Sequence, residues 1–305
     1  MNNKTLTIIF IALLGIFAVS KLFKGNTDSS FEKIVINIDT ANVQKIVVHP
    51  KNSAESYSVI REGNEWKAER GSIEARANTS TVRSMLNTLS KIEIQRLAAK
   101  SRDKWQDYEV DEDNGVRIEV FGPSEKLEDF IVGRFNFDQQ SRSATSYLRK
   151  TAEDDTYALD GFLSMTLNQG FDGVRDKTVL NFDKSSLSGI VLNEEGAQLS
   201  ISKLNDQWST SDGIPIDSTE MQQYLNGVYR LNASKFNDNA DQLSLSQLGS
   251  LSFVSVNNTA ETTIKIYRNE NSFLLNSSLN NDALYESDSS GIYKILYTDL
   301  KDLIE

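Results

Sequence analysis

The sequence predicts an α+β protein of two tandem units, each a mostly antiparallel sheet with one main helix, after an N-terminal transmembrane segment. Three observations lead to this prediction: an apolar leader, a strand pair ending in tryptophan that occurs twice, and an amphipathic helix after each pair. The pattern lacks alternating strands and helices with glycine loops at the strand ends, which disfavours a parallel α/β sheet. We predict a membrane anchor or signal peptide at 1–25, a first unit at 31–168 and a second, repeated unit at 178–305.

The leader comes first in the chain. Residues 6–23 give 18 mostly apolar positions, with Lys4 before them and Lys21 and Lys24 at their end. This length just spans a bilayer, and an apolar helix has no polar face to turn towards water. We therefore predict an uncleaved single-pass anchor, with the body outside the cytoplasm. Cleavage near Ala18–Ser20, where small residues suit a signal peptidase, would instead release the body from the membrane.

The composition is that of a globular chain and excludes several classes of function. Of the 305 residues, 39% are hydrophobic and 25% are charged. Cysteine is absent, which excludes disulfides, thiolate metal sites and a cysteine nucleophile. The single histidine excludes histidine-rich metal centres. Because the net charge of -11 repels phosphate backbones, we expect no nucleic-acid partner.

Matching strand patterns predict the two units. The segment at 31–52 aligns with the segment at 177–196 at an offset of 144 residues, with aspartate and aliphatic positions in common. Each leads into alternating apolar residues, a Gly-Asn or Asn-Asp turn and a tryptophan, which is Trp66 in the first copy and Trp208 in the second. This is the pattern of a strand pair with one buried face.

One helix is predicted in each copy, at 79–98 and 217–236, from apolar residues at helical spacing. The candidate N-caps are Thr79 or Ser80, and Asp217 or Ser218. Short strands follow each helix, and each copy is predicted to close with a tyrosine, Tyr157 or Tyr293, on a final strand before a short helix. The stretch at 169–177 is the predicted join, and its shortness predicts that the units pack closely.

Few residues are candidates for catalysis. His49 ends a strand directly before Pro50, without a nucleophile elbow, and is predicted to be a surface histidine. The Ser-x-x-Lys spacing of penicillin-binding enzymes occurs at Ser30, Ser101 and Ser200, but the motifs that accompany it in those enzymes do not follow. We therefore attribute these three matches to chance.

The acidic clusters and one aromatic segment are interpreted structurally. The clusters at 111–115 and 237–241 lack EF-hand spacing and are predicted to be solvated turns, and 153–155 is predicted to be a polar hairpin tip. The segment GRFNF, with Arg134, Phe135 and Phe137, has residues that stack on sugars, yet an alternating strand with one buried face gives the same letters and is preferred. We assign no catalytic, cofactor-binding or metal-binding residue and expect no cofactor.

The order of several short motifs gives a resemblance to a known family. Behind the membrane segment and the tryptophan hairpin come four segments: Tyr-x-Val-Asp at 108–111, IVGR at 131–134, SYLRK at 146–150 and TYALD at 156–160. In this order they resemble the bacterial domain-of-unknown-function family 4340, closely over 34–168 and more loosely over 179–305. The second copy lacks a recognisable Gly-Arg or Tyr-Leu-Arg pair, so its resemblance depends on the tryptophan hairpin and the helix.

The resemblance implies an envelope protein associated with ABC-type transport and gliding-motility auxiliary proteins, without assigned catalytic residues. We expect a non-catalytic auxiliary or scaffold protein of an envelope assembly. It is expected to be a single-pass protein of a bacterial inner membrane with its body in the periplasm, or to be secreted to the periplasm if the leader is cleaved. Its expected partners are envelope membrane proteins, with ABC transporter subunits among them, and the lipid bilayer through residues 6–23. The alternative is an envelope glycan or peptidoglycan binding protein or enzyme.

Overall fold

The computed structural model describes residues 34–52, 54–194, 196–256 and 261–304. The predicted anchor at 6–23 and the Ser30 motif lie outside these ranges. None of the helices in the described ranges has the length and apolar character needed to cross a bilayer.

The first half of the chain, as far as the structure describes it, contains a large antiparallel sheet and a separate pair of short strands. Its strands are β1 (Ile34–Asn37), β2 (Lys45–His49), β3 (Tyr57–Glu62), β4 (Glu65–Arg70), β5 (Ile73–Arg76), β6 (Lys91–Glu93), β7 (Arg96–Ala99), β8 (Val116–Phe121), β9 (Lys126–Asp138), β10 (Ser143–Lys150) and β11 (Thr156–Asp160). Its helices are α1 (Thr79–Ser90), α2 (Trp105–Tyr108), α3 (Leu163–Leu167) and α4 (Phe171–Val174), with 3-10 turns at Thr40–Asn42 and Arg102–Lys104. Within the described ranges, nine strands pair in the order β5-β4-β3-β2-β8-β9-β10-β11-β7, and β1 pairs with β6.

The second half of the chain, in its described ranges, contains another antiparallel sheet and a second separate strand pair. Its strands are β12 (Thr178–Asn181), β13 (Leu187–Glu194), β14 (Ala197–Leu204), β15 (Gln207–Thr210), β16 (Pro215–Ile216), β17 (Arg230–Asn232), β18 (Gln247–Ser255), β19 (Thr262–Asn269), β20 (Ser272–Ser277) and β21 (Asn280–Ser287). Its helices are α5 (Ser218–Val228), the π-helix Lys294–Thr298 and α6 (Asp299–Asp302), with a 3-10 turn at Gln242–Ser244. The order of the eight strands seen here is β16-β15-β14-β13-β18-β19-β20-β21, and β12 pairs with β17.

The two sheets share one strand order. In both, four strands before the main helix form one side of the sheet, four strands after it form the other, and a short strand pair lies apart. The first sheet adds only β7 at its far edge. Every strand pair in the described ranges is antiparallel, so the prediction of mostly antiparallel sheets is confirmed.

Each sheet has its own apolar core. Helix α1 buries Val82, Met85 and Leu89 in the first core, and α5 buries Met221 and Val228 in the second. This burial is the main stabilising term for both helices, since helices of this length are marginal alone. The predicted apolar stripes thus face the cores.

The structure corrects the ends of these helices. The cap of α1 is Asn78, which accepts a hydrogen bond from the backbone N–H of Thr81, so neither Thr79 nor Ser80 has that role. The prediction of Asp217 as the cap of α5 is correct. Both helices end earlier than predicted because the residues that follow pair as strands β6 and β17. Sheet pairing there overrides local helix propensity.

The closing tyrosines differ between the halves. Tyr157 lies on β11 as predicted. Tyr293 does not lie on a strand, because the last strand ends at Ser287 and Tyr293 begins the helical segment that follows. Its ring stacks on Phe273, so this tyrosine packs against the second core from a helix.

Candidate functional site

The four motif segments, which are scattered in sequence, meet on one face of the first sheet. Each contributes one buried side chain to a small cluster of Val110, Ile131, Tyr147 and Ala158, and Trp105 and Tyr108 pack over it. Phe130 and Val132, the neighbours of Ile131 on β9, belong instead to the main core. Because successive side chains of a strand point to opposite faces, the motif cluster lies on the face away from that core.

Arg149 fastens the 105–112 segment to this face. The side chain is 1% exposed, and its Nε donates to the Val110 carbonyl at 2.9 Å. The guanidinium lies 3.7 Å from the ring centroid of Trp105 and contacts a carboxylate oxygen of Glu112 at 3.4 Å. Burial lowers the pKa of Arg149. In the sequence Arg149 stands out only as a letter of the SYLRK motif, because its strand, SATSYLRK, is largely polar and does not mark a buried arginine.

Gly133 permits the close approach of the same segment. A Cβ atom at this position would lie 2.1 Å from the Tyr108 carbonyl oxygen, so a larger residue would push the segment away. Ser146 pairs with Phe135 whereas Leu148 pairs with Val132, so that Gly133 and Arg134 together face one residue of β10. This is a β-bulge, a device that re-aims side chains and often borders functional sites.

The bulge places Arg134 in a cleft of about 390 Å³, here named the Arg134 cleft. Its lining comprises Lys51, Glu109, Val116, Gly133, Arg134, Phe135, Ser164, Met165 and Asn168. The Arg134 Nε is buried and has no hydrogen-bond partner among the described residues. The guanidinium carbon lies 5.8 Å from the ring centroids of both Tyr108 and Tyr147. Lys51, by contrast, is paired with Glu109 at 2.8 Å.

An exposed aromatic patch borders the cleft. It consists of Phe135, Phe137, Phe162 and Met165, which are 41%, 50%, 42% and 57% exposed. The ring centroid of Phe162 lies 5.6 Å from that of Phe135 and 5.9 Å from that of Phe137. The preferred interpretation of GRFNF as a strand with one buried face is therefore wrong. The bulge shifts the alternation, and β9 runs on past the edge of the core.

His49 lies at a strand end, as predicted, but with two partners that the sequence did not reveal. Its Nε2 lies 2.7 Å from a carboxylate oxygen of Glu119, and its Nδ1 lies 2.8 Å from the Ser56 hydroxyl. Serine, histidine and acid thus stand in the order of a catalytic relay. The Glu119 carboxylate also pairs with Lys126, and none of the trio lines either cleft described in this section. The contacts fit a polar sheet face.

Glu119 belongs to a charge network on that face, in which Arg117 and Lys126 both pair with Asp129. Burial alone would raise the pKa of Asp129, but hydrogen bonds from Arg117 and Lys126 outweigh it and lower the pKa to about 2. Burial would also raise the pKa of Glu119, but its hydrogen bonds with Lys126 and His49 outweigh this effect and lower the pKa. The network therefore stabilises the fold while these carboxylates are ionised.

This network predicts a loss of stability in acid. A carboxylate with a lowered pKa stabilises the folded state above its unfolded pKa, and the effect disappears as the pH falls through the folded pKa. We expect the free energy of unfolding to decrease between about pH 4 and pH 2, by about 1 kcal/mol from Asp129 after solvent screening. Urea titrations of wild type and Asp129→Asn at several pH values measure the contribution of Asp129 to the free energy of unfolding. Asp212→Asn, on an exposed turn, is the control, and equal acid sensitivity of wild type and Asp129→Asn would contradict the prediction.

The remaining sequence candidates that the structure describes make local contacts and do not assemble into one site. Lys104 pairs with Asp107 and Lys203 with Asp206, so in the two described Ser-x-x-Lys matches the lysine contacts an aspartate. The Asp111 carboxylate accepts hydrogen bonds from its own turn, and Asn237 does the same in the second cluster. Within the described ranges, no three His, Asp or Glu side chains converge as a metal-binding group.

Two features occupy the join between the halves. Arg175, which is 3% exposed, contacts both carboxylate oxygens of Asp238 at 2.7 and 2.9 Å and lies 3.6 Å from the ring centroid of Phe236. Beside it opens a cleft of about 630 Å³. Its lining combines Glu62, Glu65, Trp66, Lys67, Glu74, Ala75 and Arg76 with the turn Ser278, Leu279, Asn280, Asn281 and Asp282. Both the Arg175 contacts and this cleft therefore involve residues of the two halves.

Comparison with known protein families shows where the chain belongs. The family model described as Domain of unknown function (DUF4340) matches residues 70–250. The match begins in the first sheet, crosses the join and ends within β18 of the second sheet. It includes the motif cluster, the Arg134 cleft apart from Lys51, and Arg175. No curated protein matches the chain.

Proposed function

The chain belongs to the DUF4340 family, and we propose that it is a non-catalytic auxiliary or scaffold protein of a bacterial envelope assembly, which docks other proteins at the aromatic patch. The observation that carries this proposal is the exposure of Phe135, Phe137, Phe162 and Met165 side by side. An arginine-flanked aromatic surface has the composition of a protein interface.

The distribution of exposed apolar side chains supports docking at this place. Of the eight large apolar side chains exposed in the described ranges, four form the patch. Single exposed apolar residues are ordinary, whereas a contiguous group at the surface of a soluble body marks an interaction site. The adjoining cleft gives a partner a concave anchor point next to the flat rings.

The rest of the proposal concerns location and architecture. We propose that residues 6–23 anchor the chain in the inner membrane, that the body lies in the periplasm, and that partners include ABC-type transporter subunits or gliding machinery. We also propose that 31–168 and 178–305 are copies of one unit. The shared strand order of the two sheets supports the duplication.

Affinity purification from solubilised membranes tests the docking proposal. We expect wild type to recover stable partner proteins, and the double variant Phe135→Ser, Phe162→Ser to recover about tenfold less, since central aromatic residues dominate interface energies. Leu204→Ser is the matched control, because Leu204 is 72% exposed on the second sheet. Failure of wild type to recover a partner in several detergents, or equal recovery by the double variant, would refute the proposal.

A glycan-binding function is the second candidate, favoured by the 630 Å³ cleft and its carboxylate and amide side chains. It ranks second because Trp66, the aromatic residue of this cleft, already has partners for its ring. Trp66 packs against the first core, and the guanidinium of Arg61 lies 4.7 Å from its ring centroid. A rise in melting temperature with the trimer of N-acetylglucosamine, lost in Asp282→Asn, would favour it over docking.

A further inference from the structure

We propose that the Arg134 cleft binds a carboxylate group of a hydrophobic peptide segment in the docked protein. The inference rests on the proposed docking function and names the chemistry that its partner must present at the cleft. Three properties of the site carry it: an arginine without an anionic partner, a lining with one excess positive charge, and an apolar rim.

Arg134 differs from the other enclosed arginines of the chain. Arg149 is surrounded by backbone carbonyls and contacts Glu112, and Arg175 is paired with Asp238. The Arg134 side chain makes no ion pair or hydrogen bond in the part of the chain that the structure describes, and its Nε is buried. A guanidinium stays protonated, so Arg134 keeps its positive charge in the cleft and can donate hydrogen bonds to a ligand anion there.

The charge of the lining favours a carboxylate over a phosphate. Lys51, Glu109 and Arg134 are the charged residues of the cleft, and Lys51 is neutralised by Glu109. The excess charge is therefore that of one guanidinium. A single carboxylate matches this charge and accepts two parallel hydrogen bonds from arginine, whereas a phosphate dianion would meet the repulsion of Glu109 and of an acidic protein.

The size and rim of the cleft favour a peptide. A volume of about 390 Å³ lies at the lower end of the range for small-ligand sites, where a few side chains fit. Phe135 and Met165 belong to both the cleft lining and the aromatic patch. A ligand whose carboxylate contacts Arg134 therefore places its neighbouring groups against apolar surface, and leucine or phenylalanine beside the carboxylate would bury the most area there.

Short peptides in saturation-transfer NMR test the inference on the full chain in phosphatidylcholine nanodiscs. The probes are N-acetyl-Leu-Phe with a free carboxylate, its C-terminal amide, N-acetyl-Glu-Leu-Phe-amide and phenyl phosphate. We expect the free acid or the glutamyl peptide to bind about tenfold more tightly than the dipeptide amide. The preferred one shows whether the carboxylate comes from a chain end or from a side chain. Equal binding of all peptides, or preferred binding of phenyl phosphate, would overturn the inference.

Three variants test whether the carboxylate preference arises in the Arg134 cleft. Arg134→Met should abolish the preference for the carboxylate, while Arg83→Met, on the exposed face of α1, should leave it unchanged. Glu109→Gln should tighten carboxylate binding several-fold, because it removes the negative charge from the lining. This gain of affinity cannot arise from misfolding. A preference that persists in Arg134→Met, or no gain in Glu109→Gln, would overturn the inference.

Failure of the carboxylate inference can be distinguished from failure of the docking proposal. If the patch variant loses its partner but no probe distinguishes acid from amide, docking stands and the carboxylate assignment is wrong. If the carboxylate preference depends on Arg134 but no protein is recovered from membranes, the cleft binds a carboxylate ligand and the docking proposal is wrong.

Discussion

Replacing Arg175 by alanine is expected to lower the free energy of unfolding by about 3 to 5 kcal/mol. The side chain is 3% exposed and contacts both carboxylate oxygens of Asp238, at 2.7 and 2.9 Å. Its guanidinium also lies 3.6 Å from the ring centroid of Phe236 and 5.0 Å from that of Phe171, so it joins the two halves. Removing it leaves the Asp238 carboxylate, whose side chain is 20% exposed, with Arg70 at 3.7 Å as its remaining cation among the described residues, and it removes the guanidinium from between the two aromatic rings.

Urea unfolding of matched variants measures this effect. Arg102→Ala is the control, because Arg102 contacts Asp154 at 2.8 Å but is 73% exposed, and it should cost less than about 1 kcal/mol. The double variant Arg175→Ala, Asp238→Ala should cost less than the sum of the single variants, since the two side chains interact directly. A cost for Arg175→Ala no larger than that of Arg102→Ala would show that the join does not depend on this pair.

Much of the fold was predictable because local patterns and tertiary packing agree. The turn at Asn205 and Asp206 has positive φ at both residues, 49° and 62°, which is the conformation that such residues adopt in tight hairpins. The tryptophan hairpins, the helix stripes and the antiparallel strands followed from similar signals. The extent of α1 was not predictable in this way, because Ile92 belongs to a strand pair whose partner, β1, lies far away in sequence.

The candidate site was less predictable because it depends on long-range register. A single bulge on β9 decides that Arg134 lines a cleft and that Phe135 and Phe137 are exposed. The glycine of GRFNF is a signal for a bulge or a close backbone approach, but it does not give the register of the strands. Likewise, Glu119 reaches His49 only because β8 pairs with β2. The motif letters were recognisable in order, but their function as one cluster around Trp105 becomes apparent only when β9, β10 and β11 are neighbours.

Replacing Arg149 by methionine is expected to cost about 3 kcal/mol and to release the 105–112 segment from the sheet. The substitution leaves the Val110 carbonyl without its 2.9 Å hydrogen bond and removes the guanidinium that lies on the Trp105 ring. Arg149→Lys should not restore stability, because one ammonium group cannot replace a planar fork that reaches several carbonyls and stacks on an indole. Hydrogen exchange should therefore rise locally at the Val110 amide, which donates to the Trp105 carbonyl at 2.9 Å.

The same variant connects stability to the proposed site. Tyr108 and Glu109 lie in the segment that Arg149 holds, and both border Arg134, so Arg149→Met should also lose the carboxylate preference of the cleft although Arg134 is intact. Arg96→Met, at an exposed position of β7, is the matched control and should change stability by less than about 0.5 kcal/mol without altering the cleft. Exchange that increases uniformly over the first sheet would mean that Arg149 supports the whole core. Full stability of Arg149→Lys would mean that charge alone suffices at this position.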